Sequence, residues 1–81
     1  NQDIFLEDHH VKTVGDTELE LTALYFFDNN LNITETANEL FIHRNTLIYR
    51  LNKLESITGY DIRKFNDAIN FYLSYLGDKI I

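Results

Sequence analysis

Ala37-Asn38-Glu39-Leu40-Phe41-Ile42-His43-Arg44-Asn45-Thr46-Leu47-Ile48-Tyr49-Arg50-Leu51 is the stretch on which the fold turns. It encodes the end of one short amphipathic helix, a tight turn at Phe41-Ile42 and the start of a second helix. Ala37 is small at the point where the two helices must approach closely. His43, Arg44 and Asn45 open the second helix with side chains able to hydrogen-bond base edges. That is the layout of a helix-turn-helix, whose second helix enters the DNA major groove N-terminus first.

The flanking sequence supplies the rest of a small all-α, four-helix domain. Thr17-Glu18-Leu19-Glu20 reads as a capping box, in which the Thr17 hydroxyl accepts from the Glu20 amide and the Glu20 carboxylate reaches back. A first helix then runs to about Asp28, with Leu21, Leu24 and Tyr25 on one stripe and Leu19 and Phe26 on another. Asn29 and Asn30 tolerate the left-handed backbone that ends helices. Asn32, with Glu35 three residues on, caps a second helix through about Leu40, its inner side formed by Ile33, Ala37 and Leu40. The third helix is expected from Arg44 to Thr58, with Leu47, Leu51, Leu54 and Thr58 buried at helical spacing and Gly59 as its C-terminal stop. A last helix is expected from Phe65 to Leu76, burying Phe65, Ala68, Ile69, Tyr72 and Leu76 and closed by Gly77. Residues 1–16 read as an arm or linker and 17–81 as the folded domain.

Composition limits the function. Eighty-one residues make one small domain. The hydrophobic content of 44% and charged content of 25% are ordinary for a globular chain. With no cysteine there is no disulfide framework or thiolate metal site. No apolar run reaches the length of a membrane span or a signal-peptide core. The net charge of −6 weighs against DNA binding, because phosphate neutralisation supplies most nonspecific affinity. The charge is unevenly distributed, however. Residues 1–40 hold nine acids and one lysine, whereas residues 41–81 hold four acids and six bases. Between His43 and Lys53 stand Arg44, Arg50 and Lys53 with no acid among them. Local field decides where a polyanion docks, and the global charge predicts weak binding by the isolated domain.

With the three leucines facing inward, helical geometry turns Asn45, Thr46, Tyr49, Asn52 and Lys53 outward and leaves Arg44 and Arg50 flanking the buried stripe. Arg44 offers a planar fork to guanine O6 and N7, and Asn45 matches adenine N7 and N6. His43, at the helix start, is within reach of a base edge or a phosphate. Thr46, Tyr49, Arg50 and Lys53 are expected to hold phosphates, which fixes register without reading sequence. An exposed Arg or Lys on a helix is ordinarily only solvated; here the basic and amide groups share one acid-free surface at the right offset from a turn and a second helix.

The run Asn32-x-x-x-x-Ala37-x-x-Leu40-Phe41-Ile42-His43-Arg44-Asn45-Thr46-Leu47-x-Tyr49-Arg50-Leu51, followed by Thr58-Gly59-Tyr60-Asp61-Ile62, closely resembles the C-terminal DNA-binding domain of the PucR/CdaR family of bacterial transcriptional regulators. The resemblance covers about residues 17–76, and the wider relationship is to the Fis-type helix-turn-helix. It implies that His43, Arg44 and Asn45 approach bases while Thr46, Tyr49 and Arg50 hold the backbone. It also implies a longer cytoplasmic regulator of purine or sugar-diacid catabolism whose upstream part senses a metabolite and forms a homodimer or higher homo-oligomer. Beginning at Asn1 and lacking methionine, the chain is expected to be a segment of such a protein. Two positions depart from the pattern. Phe41 stands where many helix-turn-helix motifs place glycine, so either its backbone bends without that glycine or the turn is of another type. Lys64-Phe65 replaces an acidic cap and proline before the last helix.

Other readings have less support. A helical protein-interaction module without DNA binding would use the acidic charge and the aromatic first and last helices, but those aromatics are better explained as the core of a short chain. Glu7-Asp8-His9-His10 is the one cluster with plausible metal ligands, and adjacent histidines point to different sides of a helix or strand. Ser56 and Ser74 lack a nucleophile-elbow context, and Gly15, Gly59 and Gly77 form no phosphate loop. No enzymatic activity, cofactor or metal is expected. The expected partner is double-stranded DNA, with no membrane attachment.

Overall fold

The computed structural model describes residues 14–76. The Glu7-Asp8-His9-His10 cluster and the stop expected at Gly77 lie outside them. Within them the order is α1 (Thr17–Asp28), α2 (Ile33–Leu40), α3 (Arg44–Thr58) and α4 (Phe65–Phe71), the last continuing directly into a π-helical stretch, Tyr72–Leu76. Among the described residues there is no strand. Helices α1, α2 and α3 pack on one another pairwise. The all-α, four-helix architecture read from the sequence is the architecture found.

Helix α1 starts one residue earlier in capping terms than expected. Asp16, not Thr17, is the N-cap: its carboxylate accepts from the amides of Glu18 at 2.9 Å and Leu19 at 3.3 Å. Thr17 is already helical. A carboxylate at this position satisfies orphan amides and also meets the positive end of the helix dipole. The core-facing stripe is Leu19, Thr22, Ala23 and Phe26. The Leu21, Leu24 and Tyr25 stripe is largely exposed, at Leu21 (46%) and Tyr25 (38%), and of the three Leu24 alone packs partly on the core.

Both turns around α2 are Schellman closures. In the first, Asn30 is left-handed (φ 57°), its amide donates to Phe27 O at 3.0 Å, and the Leu31 amide donates to Phe26 O at 2.8 Å. Asn30 fits the expectation. Leu31 is also left-handed (φ 62°), which a β-carbon disfavours, and it packs against the core. Asn32 then caps α2, its side chain accepting from the Glu35 amide at 2.8 Å. In the second closure Phe41 is left-handed (φ 58°), its amide donating to Asn38 O at 3.1 Å and the Ile42 amide to Ala37 O at 3.0 Å. The departure at Phe41 is therefore resolved in favour of the glycine-type turn, built without glycine.

Leu47, Leu51 and Leu54 are fully buried, as their spacing requires, and with Phe26, Ile62, Phe71 and Leu76 they fill the centre. Two threonines lie in the same interior, Thr22 and Thr36. Each hydroxyl donates to the carbonyl four residues back, Glu18 O at 2.8 Å and Asn32 O at 2.7 Å, so neither is left unsatisfied.

Past α3, Gly59 takes the left-handed stop (φ 83°). Asp61 then organises the link to α4: it accepts from the Arg63 amide at 3.1 Å and from Arg63 Nε at 2.7 Å, while its own amide donates to Asp67. Arg63 reaches back to Asn52 Oδ1 at 2.8 Å and Glu55 at 3.6 Å, tying this loop to α3. Lys64 precedes α4 without a side-chain cap. The buried residues of the last segment are Ala68, Phe71, Tyr75 and Leu76. Phe65 (70% exposed) and Ile69 (42%) face outward, against expectation. A strict 3.6-residue period had placed them inside. The buried face is instead Ala68, Phe71 and Tyr75, at i, i+3 and i+7, and within the π-helical stretch Leu76 joins Tyr75 in the core. Phe71 stacks on Tyr75 with ring centroids 4.9 Å apart.

Phe41 combines a left-handed backbone with a side chain that is 94% exposed. Phe41→Gly removes the steric cost without opening a cavity, and should raise stability by about 0.5–1 kcal/mol; Phe41→Val should lower it. Thermal unfolding of the two variants checks both. A second expectation concerns acid. Burial disfavours the ionised form of Asp61, but the hydrogen bonds and charge of Arg63 outweigh this and hold its carboxyl below its ordinary value of 3.8. The stability it contributes is complete above that ordinary value and is lost as pH falls through the lower folded one. Urea unfolding across about pH 2–5 should show a shallower acid decline for Asp61→Asn than for the wild type.

Candidate nucleic-acid interface

The surface predicted to read DNA is built on the first three turns of α3. Its inner side is fixed by the leucines, and its origin is fixed by the cap. His43 has extended backbone (φ −69°, ψ 148°), and its Nδ1 accepts from the Asn45 amide at 3.0 Å. A ring nitrogen that accepts carries no hydrogen, so in this capping form the proton sits on Nε2, which points away as a donor. The Thr46 and Leu47 amides donate to the His43 carbonyl at 3.0 and 3.1 Å. No acid occurs in the first turn of α3, leaving the positive end of its dipole without a counter-charge from its own helix.

The seven predicted contact residues fall into three groups. Asn45, Thr46, Tyr49 and Lys53 are exposed, with side chains that engage no neighbour. His43 and Arg44 are also exposed but touch local partners. His43 caps the helix, and Arg44 Nη1 donates to the Thr34 hydroxyl on α2 at 3.3 Å. That contact lays the guanidinium across the junction of α2 and α3 while leaving most of its donors open. Arg50 stands apart. Its Nη2 meets Glu18 Oε2 at 3.0 Å and its Nη1 donates to Thr22 Oγ1 at 3.3 Å, both on α1. Only 17% of its side chain is exposed. Six of the seven are thus exposed to solvent, and the seventh is turned into the crevice between α1 and α3.

Glu18 and Thr22 went unnoticed in the sequence. They are one helical turn apart, which puts a carboxylate and a hydroxyl on the same face of α1. That spacing was visible, but the helix facing it was not. Asn52, expected to point outward, does so but is engaged by Arg63.

Among the described residues no group of three or more His, Asp or Glu could hold a metal ion. No helix among them is long and apolar enough to cross a membrane. An apolar concavity of about 410 Å³ lies between the α1–α2 turn and α4, lined by Phe27, Leu31, Phe65, Ile69, Tyr72 and Leu73 among others. It carries no titratable group suited to chemistry.

Comparison with known proteins agrees with this geometry. Residues 19–76 match the PucR C-terminal helix-turn-helix domain. An uncharacterized protein of Haemophilus influenzae is 46% identical over 55 residues, which is 68% of this chain and 15% of the relative. The carbohydrate diacid regulator of Escherichia coli is 41% identical over 61 residues, 75% of this chain and 16% of the relative. The purine catabolism regulatory protein of Bacillus subtilis is 40% identical over 70 residues, 86% of this chain and 13% of the relative. The chain thus spans only a small part of the length of the curated relatives it matches. No solved structure matches it significantly. Its match across residues 19–76, with α2 and α3 set around a left-handed corner, makes this chain a member of the PucR C-terminal helix-turn-helix family, a DNA-binding domain of transcription regulators.

Proposed function

We propose that this domain reads a DNA operator through the N-terminal turn of α3 and serves a metabolite-responsive cytoplasmic regulator without enzymatic activity of its own. The observation that carries the reading is the acid-free first turn of α3, from which exposed side chains of three hydrogen-bonding types project. His43, Arg44 and Asn45 approach base edges: Nε2–H of His43 as a donor, Arg44 as a fork for guanine, Asn45 as a donor–acceptor pair for adenine. Thr46, Tyr49 and Lys53 hold phosphates on either side. Arg44 leaves Thr34 to do so, exchanging one neutral hydrogen bond of 3.3 Å for a charge-assisted pair.

One copy offers few contacts, so two copies on half-sites about 34 Å apart, or a multiple of that, are needed for tight binding. Homo-oligomer formation through a further part of the regulator would supply the second copy. The printed names of the relatives, a carbohydrate diacid regulator and a purine catabolism regulatory protein among them, support control of a catabolic pathway by its small-molecule substrate or product.

Selection of duplexes from a random pool by an artificially dimerised form tests this directly, and should return paired half-sites with a helical-repeat spacing. Recovery of no preferred sequence would overturn the reading. On the selected duplex, Arg44→Ala should cost about 1–3 kcal/mol and relax preference at one base pair. Lys53→Ala should weaken all sequences alike and reduce the salt slope by about 0.9. Fluorescence anisotropy titrations against salt, on the selected duplex and on point-substituted versions, separate the two behaviours.

A further inference from the structure

We infer that Arg50 is a positioning residue: its bonds to Glu18 and Thr22 set the rotation of α3 about its own axis, and through that rotation the aim of His43, Arg44 and Asn45 at the bases. This rests on the DNA-reading function proposed above and assigns Arg50 a task other than phosphate contact.

The leucine stripe alone cannot supply that aim. Burial of Leu47, Leu51 and Leu54 chooses which side of α3 faces inward, but hydrophobic burial is non-directional and tolerates small rotations. Side chains at the surface of a helix lie about 5–6 Å from its axis. A rotation of about 20° therefore carries them sideways by about 2 Å, enough to break hydrogen bonds that need near-linear geometry.

Arg50 supplies a directional contact between α3 and α1, part-buried where the Arg44–Thr34 bond of α3 to α2 is exposed. It reaches across to α1 at two points, Glu18 at 3.0 Å and Thr22 at 3.3 Å, separated from them by 32 and 28 residues in sequence. The receiving hydroxyl is itself fixed. Thr22 is fully buried, and it donates to the Glu18 carbonyl at 2.8 Å, so the rotation of its hydroxyl is fixed and its lone pairs are presented in set directions. A planar guanidinium met at two nitrogens has little freedom to swing. Arg50 also sits next to Leu51 at the edge of the buried stripe, with 17% of its side chain exposed, while Glu18 is 66% exposed. A pair with one partner so open contributes little to overall stability. What it constrains is orientation.

The competing role has a distinct signature. A phosphate ligand held back by Glu18 would be released when the carboxylate is removed, and its own loss would lower the number of counterions displaced. Glu18→Ala, Arg50→Lys and Arg50→Ala in the artificially dimerised form separate the two. All three are titrated, across a salt series, on the duplex selected as above and on a shuffled duplex of the same composition, with circular dichroism confirming the fold at the assay temperature. Glu18 is exposed, so Glu18→Ala tests the inference even if Arg50→Lys fails to fold. Each variant should lose about tenfold in the ratio of selected to shuffled affinity, with the salt slope unchanged. The double variant should be no worse than either single one, since both break the same clasp. An unchanged ratio in Glu18→Ala would overturn the inference, as would an unchanged ratio with a reduced salt slope in Arg50→Ala. Wild-type protein that fails to prefer the selected duplex would instead overturn the DNA-reading function itself.

Discussion

Everything outward-facing on this domain is determined by what α3 turns inward. Leu47, Leu51 and Leu54 are each completely withdrawn from solvent, held between α1 and α2. Once those three are committed, the remaining positions of a 15-residue helix have no freedom to choose sides. The polar face is not selected for exposure by its own solubility alone; it is the complement of the leucine face. The same packing buries Ala37, 4% exposed, on the inner side of α2. A hydrophobic constraint thus sets up a polar surface, and the chemistry of reading DNA is laid over it.

The electrostatics follow from the fold rather than from the total charge. A chain of net charge −6 would ordinarily repel a polyanion. Four acids among the described residues are engaged elsewhere in the fold. Asp16 caps α1, Glu18 meets Arg50, Glu39 accepts from Asn29 at 2.6 Å, and Asp61 binds Arg63. None of them sits in the first turn of α3.

The boundaries of α2 and α3 were legible because each carries its own punctuation: Asn32 with Glu35, Leu47 through Leu54 at regular spacing, and Gly59. The first cap was misassigned by one residue because Asp16 and Thr17 are both good capping types, and local preference alone does not separate them. The face of the last helix was misjudged for a different reason. Phe65, Ile69 and Leu73 form an apolar stripe at α-helical spacing, yet it lies outward, because a second apolar stripe at equally regular spacing, Ala68, Phe71 and Tyr75, is the one that packs on the core. Periodicity finds a stripe but cannot say which of two stripes is buried. At the interface the residue types were readable and their partners were not. The contacts of Arg50 cross 28 and 32 residues, and only the packed helices bring those positions together.

Three non-glycine residues, Asn30, Leu31 and Phe41, hold left-handed backbone at the two corners flanking α2. A β-carbon disfavours that conformation, and it persists because the paired backbone hydrogen bonds of each corner and the packing of Leu31 on the core over-determine it. Built in this way, the two corners act less as hinges than as fixed brackets. The reading head is accordingly preorganised, and little ordering entropy remains to be lost when it meets a duplex.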